Sequence, residues 1–358
     1  MATVVLAGGG SAGHVEPALA VAREWMSTHP ADHCIFLGTK SGLEATLVPA
    51  AGFELRSIAK VAISRKPSIS WLRIPLDLIS AVASCIKILK KADVLVGFGG
   101  YVSAPAYLAA AVTRTPIVIH EANAKPGWAN RLGAVFTPHV AVAHPVESGR
   151  FARALLAGLP LRSDVAQAFS SSASDWLLSR KEAKARLGFP TNQPLVFIMG
   201  GSQGSVAING VIAGSISTFT EKAISVLHSL GKLNVLPVAQ GSYKPVSYVD
   251  AMADAYLAAD LVIARSGAVT CSEFRALGRY ALFVPLPIGN GEQFVNAASL
   301  VRDGRAQVLM QKRFTPLYIS SQIDALLSSA AMAPIQGDPT DLNAAQKIAS
   351  LTEFAMGS

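Results

Sequence analysis

Short apolar runs alternate along the chain with longer stretches whose apolar residues return at helical spacing. Residues 3–7 form the first run, and a helical pattern over 17–26 follows, with Pro17 suited to a first turn. Runs at 34–37, 55–58, 94–97, 117–119 and 139–143 predict further buried strands, and 42–50 a helix. Regularity then falls away: 158–164 reads as a hinge, and Ser170, Ser171, Ser172 and Ser174 as a flexible surface segment. The alternation restarts with strands at 195–199, 261–263 and 282–285, helices from about 206 and over 250–259, and a last helical pattern over 341–355. The opening strand, glycine loop and helix thus recur about 190 residues on. Two similar α/β halves with parallel sheets are predicted, 1–160 and 161–339, with a terminal helix in 340–358 packing back on the first.

One helix carries more apolar surface than a sheet can cover. Leu72, Leu76, Ile79, Ala83 and Ile86 form one stripe, and Trp71, Ile74, Leu78, Val82, Cys85 and Leu89 a second. Arg65, Lys66, Arg73, Lys87, Lys90 and Lys91 lie near its ends. The spare stripe either rests on an anionic membrane or is buried between layers.

Composition narrows the class. The chain has 358 residues, 51% hydrophobic and 15% charged, enough for two well-filled cores. A net charge of +8 favours anionic partners such as phosphates, nucleotides or a lipid surface. Nucleic acid is not expected, because the basic residues are scattered and no reader motif occurs. Cys34, Cys85 and Cys271 lie far apart in apolar runs and read as reduced core residues of a cytoplasmic protein. No signal peptide is read at Met1-Ala2-Thr3, and no uncharged apolar run reaches membrane-spanning length.

Candidate chemistry gathers at the turns after strands, where open parallel sheets bind ligands. Gly8-Gly9-Gly10-Ser11-Ala12-Gly13-His14 matches a dinucleotide loop, but the second strand ends in Gly38-Thr39-Lys40 without the ribose-binding acid. His14 reads either as a polar cap or as a neutral base beside an anion. Tyr101 follows a second glycine turn, and His120-Glu121-Ala122-Asn123 leave another strand for a loop. In the second half, Ala264-Arg265-Ser266-Gly267 leads into a helix start fit for a phosphate. Glu273 stands about one and a half turns into that helix, placed to accept from a ribose diol. Pro287-Ile288-Gly289-Asn290-Gly291-Glu292-Gln293 brings acid and amide groups to the same rim. The chain has no P-loop, no Gly-x-Ser-x-Gly and no paired metal ligands, so no cofactor or metal is expected. What remains suits group transfer from a nucleotide diphosphate donor in one half to an acceptor in the other, with backbone dipoles stabilising the departing diphosphate.

Five motifs in order carry a resemblance: Gly9 to His14, Gly97-Phe98-Gly99-Gly100-Tyr101, His120 to Asn123, Gly200-Gly201-Ser202-Gln203-Gly204, and Arg265 through Glu273. Together they resemble the bacterial MurG-type glycosyltransferases nearly end to end. The resemblance implies a glycosyltransferase-B fold, two Rossmann-like parallel-sheet domains facing across a cleft. It implies inverting transfer of N-acetylglucosamine from UDP-N-acetylglucosamine to lipid I, giving lipid II, at the cytoplasmic face of the cell membrane. Glu273 then corresponds to the ribose ligand, Ser202 to the diphosphate contact, Gln293 to the sugar contact and Val249 to the uracil contact. Ala268, Val269, Thr270, Cys271 and Ser272 supply the turn beside sugar and phosphate, and Arg162 the donor-site arginine. Ser11, Ala12, Gly13 and Asn123 match first-domain donor contacts; His14 and Glu121 are the candidate bases, with Tyr101, Gly99 and Gly100 near the acceptor. Two positions depart from the family pattern, Ala12 in the first loop and Glu292 before Gln293. The rivals are a UDP-N-acetylglucosamine 2-epimerase on the same fold and a non-catalytic sugar-nucleotide-binding membrane protein.

Overall fold

The structure, a computed structural model, describes residues 1–59, 74–287 and 291–357. The predicted loop over 61–67, Trp71, Leu72, Arg73 and Ile288-Gly289-Asn290 lie outside them. The chain divides into two compact units, Met1–Arg162 with Asp341–Ser358, and Ser163–Thr340.

In the first unit the elements run β1 Thr3–Gly8, α1 Ala12–Thr28, β2 His33–Gly38, α2 Glu44–Ala50, β3 Glu54–Ser57 and α3 Ile74–Leu89. They continue with β4 Val94–Gly99, α4 Ser103–Thr113, β5 Ile117–Glu121, α5 Trp128–Gly133, β6 Val140–Val142 and β7 Leu155–Leu156. All seven strands are parallel in the order β3-β2-β1-β4-β5-β6-β7. Successive residues of β1 show why the strand reads as continuously apolar. Val4 and Leu6 enter one core with α1, while Val5 and Ala7 enter another with α3 and α4. Connections leave β1 and β4 toward opposite edges, which opens a crevice at their carboxyl ends.

The second unit repeats the plan. Helices α6 Ser163–Ser172 and α7 Trp176–Arg186 precede β8 Leu195–Met199, α8 Val206–Ala213, α9 Ile216–Glu221, β9 Ser225–Ser229 and β10 Tyr243–Val246. Then come α10 Met252–Ala258, β11 Leu261–Ala264, α11 Ala268–Ala276, β12 Ala281–Phe283, α12 Glu292–Asn296, α13 Ala298–Arg302, β13 Ala306–Val308 and α14 Pro316–Met332. Six parallel strands lie in the order β10-β9-β8-β11-β12-β13, with the switch between β8 and β11. The final helix, α15 Ala344–Met356, belongs to the first unit, where Ile348, Ala349 and Ala355 join the core beside α1.

Several local expectations are corrected. Helix α1 starts at Ala12, five residues earlier than the periodicity suggested, so Pro17 lies in its second turn. Its missing N–H forfeits only the bond to the Gly13 carbonyl, which the rest of a 17-residue helix tolerates. His120 and Glu121 are strand residues, paired with Ala141 and Val142 of β6, and not loop residues. The serine-rich segment is helical through Ser172, with Ser174 in the turn that follows. Val165 of α6 is buried, Phe169 meets Trp176 edge-on at 5.5 Å, and Ser170 and Ser171 return their hydroxyls to backbone carbonyls. On α3, Cys85 and Leu89 face the core, whereas Leu76 and Ile79 are 69% and 66% exposed. The stripe carrying Leu76 and Ile79 is therefore the spare one, and burial on both sides is excluded there. No helix among the described residues is long and apolar enough to cross a membrane.

Candidate active site

The first unit's site forms where β1, β4 and β5 end. The glycine turn after β1 carries Ser11 in an extended conformation, and α1 follows at once, so the amides beyond Ser11 begin a helix N-terminus. His14 sits in its first turn. Its Nδ1 lies 3.2 Å from the Gly9 carbonyl oxygen and 3.1 Å from Ser11 Oγ. A carbonyl can only accept, so Nδ1 carries the proton and Nε2 is the basic nitrogen. Burial lowers the His14 pKa below the usual 6.5, opposed in turn by Glu121, the Gly9 carbonyl and Glu44. A neutral imidazole at pH 7 follows.

Gly99 and Gly100 bring the β4 turn against this ring, with φ of 89° and 81°. A Cβ on Gly99 would stand 3.4 Å from His14 Nε2, and one on Gly100 would strike the Gly9 carbonyl. Only glycine allows both the left-handed backbone and that approach. Tyr101 follows them and is held by its hydroxyl, which donates to Glu44 Oε1 at 3.0 Å and lies 2.9 Å from Thr39 Oγ1. Ala12 and Gly13 are half-buried residues of the first helical turn.

Glu121 is buried at the end of β5, and its four acceptor positions are filled. Oε1 accepts from the Asn123 amide at 2.8 Å and Asn123 Nδ2 at 3.2 Å; Oε2 accepts from the Gly127 amide at 2.9 Å and Asn130 Nδ2 at 3.0 Å. Asn130 is fixed in turn by Tyr107, which donates to its Oδ1 at 2.7 Å. Glu121 therefore holds the turn that presents Asn123 and adds negative potential near His14. Neighbouring His120 is a core residue: burial pushes its pKa down to about 4, and Nε2 donates to the Gly158 carbonyl at 2.9 Å.

The second unit's site forms where β8, β11 and β12 end. The loop 200–205 leads from β8 into α8, whose N-cap Ser205 accepts from the Ile208 amide at 3.3 Å. Ser202 is half-buried within that loop. Arg265, buried at the end of β11, ties three turns together. Its guanidinium donates to Ser205 Oγ at 2.8 Å, Gln311 Oε1 at 2.7 Å, and the Val284 and Pro285 carbonyls at 2.7 and 3.1 Å. All four partners are neutral oxygens. Burial lowers its pKa, yet a guanidinium keeps its proton, so a positive charge that no carboxylate among the described residues pairs with remains beside the glycine loop.

Helix α11 begins after Gly267, with Val269 and Thr270 half-buried and Ala268, Cys271 and Ser272 turned into the unit. The buried Cys271 side chain leaves only its backbone for a ligand. Glu273 is 2% exposed, and Tyr256 of α10 donates to its Oε2 at 2.9 Å. Gln293, in the first turn of α12, accepts from the Leu286 amide at 2.9 Å through its amide oxygen. Glu292 is the residue before it. Val249 is buried just before α10, and Arg162 ends the first unit beside Ser163 of α6. The structure thus brings His14, Gly99, Gly100, Tyr101, Glu121 and Asn123 to one rim. Ser202, Val249, residues 268–273 and Gln293 belong to the other sheet.

Sequence matches decide the family. Residues 4–142 match the glycosyltransferase family 28 N-terminal domain and residues 195–351 its C-terminal domain. The chain belongs to glycosyltransferase family 28. Relatives of this family-28 chain include a protein of Paenarthrobacter aurescens, 43% identical over 91% of this chain and 88% of its own. Another, from Mycobacterium bovis, is 44% identical over 92% of this chain and 82% of its own. Both are named UDP-N-acetylglucosamine–N-acetylmuramyl-(pentapeptide) pyrophosphoryl-undecaprenol N-acetylglucosamine transferase. Among solved structures, Acinetobacter baumannii MurG aligns with a TM-score of 0.70 at 26% identity, over 98% of this chain and 99% of that one. The UDP-N-acetylglucosamine 2-epimerase of Neisseria meningitidis shares the fold, with a TM-score of 0.61 at 14% identity over 98% and 99% of the two chains. The fold is glycosyltransferase-B, and the resemblance expected from the five motifs is borne out.

Two braces of this family-28 chain escaped the sequence reading. The acid sought at the end of β2 is absent there, but Glu44, in the first turn of α2, returns its carboxylate to that strand end. The motif arginine Arg265 was visible, but its hold on Ser205, Val284, Pro285 and Gln311 was not. A carboxylate one helix start past a strand was the only signal of the first. Nothing local signals the second, because its partners lie 19 to 60 residues away.

Proposed function

We propose that this chain transfers N-acetylglucosamine from UDP-N-acetylglucosamine to the N-acetylmuramyl-(pentapeptide) pyrophosphoryl-undecaprenol acceptor, lipid I, forming lipid II. The observation that carries the reading is the 43–44% identity, over most of both chains, to relatives named for that transfer. The acceptor's C4 hydroxyl oxygen bonds to the anomeric carbon, the bond from that carbon to the diphosphate oxygen breaks, and UDP leaves with the electron pair. Attack in line inverts the configuration. His14 Nε2 takes the hydroxyl proton, since its Nδ1 proton is engaged at Gly9 and burial keeps the ring neutral. Glu121 positions Asn123 and supports the imidazolium as it forms.

The second unit holds the donor. Glu273, oriented by Tyr256, accepts from the ribose diol; the amides around Ala268 to Ser272 and Ser202 receive the diphosphate, and the Arg265 charge favours it there. Val249 meets the uracil, Gln293 the sugar, and Arg162, Ser11, Ala12 and Gly13 complete the donor contacts. Tyr101, Gly99 and Gly100 lie on the acceptor side. The chain docks on the cytoplasmic membrane face through Leu76 and Ile79 of α3, with Lys87, Lys90 and Lys91 toward anionic headgroups.

Purified protein given labelled donor and a lipid I analogue should pass the label to the lipid, with or without a metal chelator. Free epimerised sugar without acceptor, or donor binding without transfer, would overturn the proposal. Replacing Leu76 and Ile79 by Ser should weaken binding to anionic vesicles and leave UDP affinity alone; unchanged vesicle binding would remove the docking surface.

A further inference from the structure

The buried carboxylate of Glu44 makes none of the donor or acceptor contacts proposed above, although the turns that carry the first site converge on it. It is fully buried. Its Oε2 accepts from the Gly10 amide at 3.1 Å, and its Oε1 from the Thr39 amide at 2.9 Å, Thr39 Oγ1 at 3.0 Å and the Tyr101 hydroxyl at 3.0 Å. Three separate segments therefore meet on one acid: the glycine turn after β1, the end of β2, and the turn after β4. The fit is close. A Cβ on Gly9 would stand 3.1 Å from Glu44 Oε1, and Cβ atoms on Gly38 or Gly42 would overlap its side chain. Gly10 has a φ of 90°, and a Cβ there would come 2.7 Å from the Tyr101 ring. Turn and phenol thus fix one another, with the carboxylate behind both.

We infer that Glu44 is a positioning residue for the acceptor half of the reaction, locking the Gly9–Gly10 turn and the Tyr101 hydroxyl into one arrangement beside His14. This rests on the transfer reading above, with His14 as base. A carboxylate is suited to the post because all its neighbours offer protons: two amides and two hydroxyls. Burial alone would raise its pKa, but the bonds from Gly10, Thr39 and Tyr101 outweigh that and hold it below the usual range, so it stays ionised. The retained charge also favours a protonated His14. Glutamine would set an NH2 group against those same donors and remove the charge.

The test is steady-state kinetics of Glu44→Gln and Glu44→Asp with UDP-N-acetylglucosamine and a lipid I analogue, across pH. For Glu44→Gln, kcat/KM for the acceptor should fall about 10- to 100-fold while the donor KM stays within about twofold. The acid limb of its pH profile should move to lower pH, because a negative charge near His14 is gone. Glu44→Asp should keep the limb near its wild-type place while still losing acceptor efficiency, since its charge remains but its reach is shorter. Should the glutamine variant not fold, the aspartate variant and Tyr101→Phe carry the test. Tyr101→Phe should lower acceptor efficiency with an unshifted limb. Wild-type acceptor kinetics in these variants would overturn the inference, as would equal losses for donor and acceptor with an unmoved limb. A His14→Ala enzyme with wild-type turnover would instead remove the base assignment; the acceptor-selective loss in Glu44→Gln would still decide the positioning role.

Discussion

The two glycine loops are built on one plan and braced by opposite charges. Each follows the strand at the switch point of its sheet, and each opens a helix. Behind the first lies Glu44, an acid that accepts from Gly10, Thr39 and Tyr101. Behind the second lies Arg265, a cation that donates to Ser205, Gln311 and two carbonyls. The difference matches the chemistry proposed for each loop. An acceptor hydroxyl must lose a proton beside His14, and nearby negative charge favours the imidazolium that results. A leaving diphosphate gathers negative charge, and a cation without a carboxylate partner among the described residues favours it. Duplicated backbone architecture thus supplies similar amides in both halves, and on the proposed function the residue behind each loop suits it to a different step.

The contrast can be broken from either side. His14→Ala should cost the most, lowering kcat about 100- to 10,000-fold with UDP affinity unchanged, as read by transfer kinetics and calorimetry. Arg265→Met comes next, lowering donor kcat/KM about 100-fold, because charge and loop anchorage go together; Arg265→Lys should recover part, keeping the charge without the planar fork. Glu273→Ala should weaken UDP binding about tenfold or somewhat more, the worth of hydrogen bonds to a charged group, while acceptor KM holds. The smallest effect is one of position on the pH axis. The His14 pKa lies below its usual 6.5, so kcat/KM for the acceptor should be flat near pH 7 and fall only as pH drops past that lowered value. A limb above pH 6.5 would contradict the burial of the ring.

The sheets were legible in the sequence because parallel strands buried on both faces read as unbroken apolar runs, as Val4 to Ala7 and Leu195 to Met199 do. Ends of elements were less so. The helical turn from Ala12 to Glu16 has little apolar periodicity, and the helix there is fixed by Ser11, whose carbonyl accepts from the His14 and Val15 amides. Helix α6 was hidden by its serines, a loop-like composition, although Ser170 and Ser171 bond back to the helix backbone. In the site, His14, Tyr101 and Glu273 stand in motifs and could be named. Glu44 depends on Gly10 and Tyr101, 34 and 57 residues away, which meet it only once the sheet is formed, and no local pattern announces such meetings. The partners of Glu121 lie within nine residues of it, but the loop conformation that turns them back on its carboxylate carries no sequence motif of its own.

The most direct measurement is calorimetric titration of UDP-N-acetylglucosamine into wild type, Glu44→Gln and Arg265→Met. Weakened binding confined to Arg265→Met, with Glu44→Gln matching wild type, is the expected result. Equal weakening in both variants, or weakening in Glu44→Gln alone, would contradict the division of labour between the two braces.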